Sequence, residues 1–194
     1  MLSIAEPPPD KIISLIGLPM SVMVGRLVEE DPGARAVARE NSVDEIVMLH
    51  REYFLTHETL LAPFDGCIEL LTGLRAHGIR LGIVTSKTRI VAGHHLTLFG
   101  LDRLVDTAVF MEDTERHKPD SAPFSLAASR LAVAPSSCLG VGDAVADLLS
   151  ARAAGMAFCA AMWGADPRDP LVAAKPDYLA ESPTDVLGIG GVGL

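Results

Sequence analysis

A chain of 194 residues, 49% hydrophobic and 21% charged, can bury a sizeable core, which excludes an intrinsically disordered tract. With 16 Lys and Arg against 25 Asp and Glu the formal charge is −9. That balance excludes non-specific nucleic-acid binding, which needs an excess of cations to neutralise phosphates.

The N-terminal stretch MLSIAEPPPDK has neither the basic nor the apolar run of a secretory leader. No apolar run approaches the roughly 18 residues that cross a bilayer. Cys67, Cys138 and Cys159 are odd in number and far apart, inside apolar segments. These features predict a cytoplasmic protein with no membrane contact, whose thiols are reduced, buried and not zinc ligands. Residues 10–64 carry helical periodicity and almost no strand signal. Asp10 can cap a helix with Ile12, Ile13, Leu15 and Ile16 on its apolar face, interrupted at Gly17-Leu18-Pro19. Ser42 can cap a second helix, 43–56, with Ile46, Val47, Leu49, Tyr53 and Phe54 on its apolar side. Residues 1–64 therefore read as a small all-helical region.

From Asp65 onward helices and strands alternate. The patterning predicts a helix over 67–77 stopped by Gly78, a strand over 79–84 and a helix over 88–99. A short strand over 107–110 follows, then a helix over 122–131 and a strand over 138–141. A helix over 144–154 stops at Gly155, before a strand over 157–161 and a last edge strand over 177–179. Apolar, non-alternating strands separated by helices imply an α/β core over 65–194, with a Rossmann-like parallel sheet covered on both faces. Ligands of such sheets bind beyond the carboxyl ends of the strands.

Three strand ends carry chemistry. Thr85 and Ser86 offer a hydroxyl and main-chain N–H groups that can hold a phosphate oxygen. Lys118, before Pro119, is expected in an extended conformation that aims its amine. Asp143 and Asp147, four residues apart where a strand passes into a helix, suit Mg²⁺, which takes one or two carboxylates with water and substrate phosphate. Singly, each has an ordinary explanation as a helix cap or a solvated lysine.

Taken together and in this order, the sequence resembles the haloacid dehalogenase-like hydrolase superfamily, within it the phosphoglycolate phosphatase-like group. The matching stretches are GLPM (17–20), GIRLGIVTSK (78–87), HKPDSAPF (117–124), VGDAVADLLSARAAGM (141–156) and MWG (162–164). The resemblance implies that Thr85 and the Ser86 amide bind the phosphoryl group and that Lys118 offsets the charge between it and the attacking carboxylate. It implies Asp143 as the Mg²⁺ ligand, Asp147 as a supporting acid, and the helical region as a cap that sets specificity. Lys118 and Asp147 are thus the catalytic candidates.

The family's opening strand ends in Asp-x-Asp-Gly-Thr, whose first Asp is the nucleophile. These 194 residues contain no such motif. Phe64-Asp65-Gly66 is similar only on the surface, being followed by Cys67 and preceded by no strand. In the family that strand lies between those ending at Thr85 and Asp143, so its absence would leave two unpaired edges. Two functional expectations follow. The first is a Mg²⁺-dependent phosphatase of small phosphorylated metabolites, working through phospho-aspartate chemistry but shortened at its N-terminus and inactive as written. The second is a non-catalytic binding or regulatory protein using the same phosphate pocket. His50, His57, His94 and His95 read as surface or core residues, Trp163 as packing. Unpaired edges also favour a homodimer.

Overall fold

A computed structural model describes residues 7–15, 18, 20–30, 35, 43–164 and 167–189. The chain divides into two compact units, residues 1–61 and 62–194.

The first unit is helical: α1 (Pro9–Ile13), α2 (Met20–Glu30) and α3 (Val43–Thr56), with α2 packed on α3. Asp10 does not cap α1 as expected. Pro8 holds the cap position and Asp10 falls in the first turn, because Pro9 already supplies the fixed φ that starts a helix. Leu15 is buried beyond the end of α1. The expected break at Gly17 and Pro19, the contribution of Ile16, the Ser42 cap and the Phe54 side chain lie outside the described residues. The apolar side of α3 is only partly covered: Ile46 and Val47 are half-buried, Leu49 and Tyr53 exposed. The Tyr53 ring stacks instead on His57, with centroids 3.9 Å apart.

The second unit is α/β. In chain order it holds α4 (Cys67–Ala76), β1 (Gly82–Val84), α5 (Arg89–Leu98), β2 (Thr107–Val109) and α6 (Ala122–Arg130). After these come β3 (Leu139–Gly142), α7 (Val145–Ala153), β4 (Ala157–Ala161), α8 (Arg168–Ala173) and β5 (Tyr178–Ala180). Every pairing is parallel, which is what the non-alternating apolar strands require. Gly78 and Gly155 follow α4 and α7 with φ of 73° and 83°, the left-handed conformation that stops a helix cheaply only at glycine.

β1 is shorter than the predicted 79–84. The Ile79 N–H is taken by the Leu74 carbonyl at the end of α4, and the Leu81 N–H by the Asp106 carboxylate, so pairing begins at Gly82. α8 carries no periodic signal and was not expected. Alternation along β4 builds two cores. Phe158 and Ala160 face Phe124, Ala128, Leu148, Ala151 and Leu171, contributed by α6, α7 and α8. Cys159 faces the other way, into Leu70, Ala180, Val186 and Leu187.

The described strands form two sheets, β1–β2 and β3–β4–β5. A cavity of about 700 Å³ is bounded by both, with Ile83 and Val84 of β1, Gly140 and Val141 of β3, Phe124 and Asp147 on its wall. All three cysteines are free, and burial first of all holds each thiol above its ordinary value, Cys159 up to about 11. No described helix is long and apolar enough to cross a membrane.

Candidate active site

The carboxyl ends of β1 and β3 meet at one ammonium group. Lys118 Nζ lies 2.6 Å from Asp147 Oδ1 and donates to the Val84 carbonyl, the last of β1, at 3.3 Å. Both side chains of the ion pair are about nine-tenths buried, at 10% and 12% exposure. A buried pair of this kind holds its charges only if the remaining hydrogen-bonding capacity is used. Asp147 meets that demand at its other oxygen, which accepts the Ala144 N–H at 3.4 Å and closes the first turn of α7. Among the described residues, two of the three Lys118 N–H groups find partners in this way.

The Lys118–Pro119 bond is cis and lies in a turn. What fixes the turn is α7. The fully buried Ser150 donates its hydroxyl to the Asp120 carbonyl at 2.5 Å, and Asp147 receives the ammonium two residues away in the turn. Positions 147 and 150 are three apart and share one helix face. Asp120 in turn accepts the Ala122 N–H at 2.9 Å, which starts α6. Nothing in the sequence marks Ser150, because a serine inside a helix looks like any other until its partner is known.

Thr85 continues the β1 ladder, its N–H donating to the Val109 carbonyl at 2.9 Å, and its hydroxyl accepts the Lys87 N–H at 3.1 Å. The Ser86 N–H has no partner among the described residues. Asp143 follows β3 directly. Two glycines missed as site residues stand behind the two carboxylates: Gly142 against Asp147 and Gly164 against Asp143. Asp65, in the turn before α4, is exposed. Trp163 is partly buried and packs against the core cluster around Cys159, as expected of it. His50, His57 and His94 are exposed and His95 is buried in α5.

A Mg²⁺ ion needs hard oxygen donors, and Asp143 supplies a carboxylate at the strand end. The Asp147 oxygens are engaged by Lys118 and the Ala144 N–H. Among the described residues no group of three His, Cys, Asp or Glu side chains could hold a metal by itself. The donor set is therefore right in kind, with one protein ligand, and the remaining positions would fall to water, phosphate or a further carboxylate.

The model of the haloacid dehalogenase-like hydrolase family matches residues 1–161. The chain belongs to this family. It is 35% identical to the pyrophosphatase PpaX of Bacillus velezensis over 150 residues, 77% of this chain and 69% of that protein. It is 33% identical to the PpaX of Halalkalibacterium halodurans over 151 residues, covering 77% and 70%. Among solved structures, a predicted phosphoglycolate phosphatase from Haemophilus somnus superposes with a TM-score of 0.78 at 24% identity, covering 97% of this chain and 84% of that one. CbbY from Rhodobacter sphaeroides, solved with xylulose-(1,5)-bisphosphate, gives 0.80 at 17% identity, covering 96% and 84%. At these identities the structures show the fold, a haloacid dehalogenase-like α/β core.

Proposed function

We propose that this protein is a Mg²⁺-dependent hydrolase of small phosphorylated metabolites, phosphoglycolate phosphatase-like. The observation that carries this reading is the buried Lys118 ammonium, held by Asp147 and the last carbonyl of β1, its third donor unmatched among the described residues. In this reading the phosphoryl group sits against that donor, the Thr85 hydroxyl and the Ser86 N–H. Lys118, held in place by Asp147, faces the oxygens of the group in transfer and offsets their charge. Asp143 would hold the Mg²⁺, which when bound neutralises phosphate charge. The helical unit serves as a cap that sets which ester is accepted. Pyrophosphate belongs in the substrate panel because curated relatives are named pyrophosphatases.

The nucleophile is the open part. These 194 residues hold no Asp-x-Asp-Gly-Thr, and we place the strand that would carry one in the cavity between β1 and β3, its carboxylate end at Lys118. As written, the chain then binds phosphate without turning it over. We further place the protein in the cytoplasm, acting on small molecules and not on nucleic acid or membranes; a homodimer is the assembly that two open sheet edges favour.

The test is Mg²⁺-dependent phosphate release from phosphoglycolate, pyrophosphate and other small esters. The 194-residue chain is compared with a version preceded by an apolar strand ending in Asp-x-Asp-Gly-Thr. Release by the extended version alone, abolished by Asp143→Asn, is the expected result. Release by the unextended chain would overturn the account of the nucleophile. The second reading, a non-catalytic phosphate-binding regulator, is favoured by the same missing motif. It predicts that phosphoglycolate raises the melting temperature of both versions while neither releases phosphate.

A further inference from the structure

Both carboxylates at the carboxyl end of the β3–β4–β5 sheet lie against glycine main chain, and the two contacts differ in kind. A Cβ on Gly142 would meet Asp147 Oδ2 at 2.6 Å and Cβ at 2.8 Å. Residues 142 and 147 are joined by one short turn, so this is the local crowding of a strand passing into a helix. Gly164 is different. A Cβ placed there would fall inside Asp143 Cβ, Cγ and Oδ2, although the two residues are twenty-one apart in the chain. Gly164 does not have the left-handed φ of Gly78 or Gly155, so space and not backbone freedom requires the glycine.

The topology explains the contact. β3 and β4 are paired in register, Gly142 opposite Ala160, and their loops leave the sheet side by side. After β4 the chain turns back, the Gly164 N–H reaching the Ala161 carbonyl at 3.3 Å, which lays residue 164 over residue 143. A χ1 rotation of Asp143 could move its carboxylate away from an added methyl, but not its Cβ, which the backbone fixes. An alanine at 164 must therefore displace one of the two loops.

We propose that Gly164 is a positioning residue: its bare main chain is the surface against which Asp143 lies, and it sets the direction in which that carboxylate points. This rests on the reading of Asp143 as a divalent-cation ligand. A wall of this sort closes one side of the carboxylate, so that its oxygens are confined to the other.

Mn²⁺ binding, followed by electron paramagnetic resonance, and thermal unfolding are measured on the full chain, Gly164→Ala, Asp143→Gly and the double variant. Gly164→Ala is expected to weaken Mn²⁺ about tenfold or more, as loss of a group that orients a metal ligand does. Asp143→Gly removes the Cβ that clashes, so in that background Gly164→Ala is expected to lose most of its effect on the melting temperature. Unchanged Mn²⁺ affinity in Gly164→Ala would overturn the proposal. Should Gly164→Ala not fold, recovery of folding in the double variant supports the proposal and its failure overturns it. If the unaltered chain binds no Mn²⁺, the metal reading fails, and the stability comparison still decides the role of Gly164: coupling supports it, additivity overturns it.

Discussion

β4 and β1 are both short apolar strands in one parallel α/β unit, yet the structure treats them differently. β4 has a strand on either side and cores on both faces, and Phe158, Cys159 and Ala160 are 0% exposed. β1 pairs with β2 alone among the described strands, and Ile83 and Val84 remain half-buried beside the cavity. Composition does not separate them; the number of neighbours does. The largest expected effect tests this directly. Phe158→Ala should cost about 3–5 kcal/mol, the usual range for emptying a core aromatic, and Ile83→Ala about 1 kcal/mol, the centre of the range for a partly exposed site. Urea unfolding of the two variants makes the measurement. Equal costs would show β1 to be as enclosed in solution as β4.

The two sheets are joined at their carboxyl ends by Lys118, which touches the last carbonyl of β1 and a carboxylate at the start of the helix after β3. Lys118→Met removes one member of a buried pair and leaves Asp147 uncompensated, at an expected cost of about 3 kcal/mol. Asp147→Asn added to Lys118→Met should return a part of that loss, with a coupling of about 1 kcal/mol or more. Additive losses in denaturant titrations would mean that the ion pair does not bind the two halves together. The Ser150 contact offers a control on the same helix face, since Ser150→Ala frees the turn without touching the charges.

Sequence reasoning succeeded where one residue type answers one local demand. Gly78 and Gly155 stop their helices with a left-handed φ, and β4 was legible to the residue because both its faces are apolar. It failed where the partner lies far along the chain. The start of β1 depends on the Asp106 carboxylate taking the Leu81 N–H, the turn around Lys118 depends on Ser150, and Gly164 matters only because Asp143 lies against it. Helix α8 was missed for another reason: six residues with Pro170 inside show no apolar period, and Leu171 alone is buried. Thr85 and Asp143 stand out as candidates in the sequence because each comes at the end of a strand, a position that parallel topology marks before any contact is known.

The smallest expected effect concerns how each sheet's outer part is held. On the β2 side the clamp is polar: Arg130 donates to the Ala108 carbonyl at 2.7 Å, and Asp113 pairs with Arg130 at 3.2 Å and Arg89 at 2.5 Å. The Phe110 N–H also donates to Asp113, at 2.8 Å. The Arg130 hydrogen bond above all, with the Phe110 N–H, holds the Asp113 carboxyl below its ordinary 3.8. A carboxyl lowered by folding contributes stability that is complete above the unfolded value and is lost as pH falls through the folded one. On the β5 side Asp185 is held low chiefly by the Ser182 N–H, with no cation among the causes. Asp113→Asn should therefore cost about 0.5–1 kcal/mol at neutral pH, the scale of partly exposed ion pairs, and the gap from the unaltered chain should narrow as pH drops below 3.8. Added salt should narrow it too, because the Asp113 clamp is ionic. Asp185→Asn should show the same acid dependence with little response to salt. Identical salt responses from the two variants would erase this difference between the sheets.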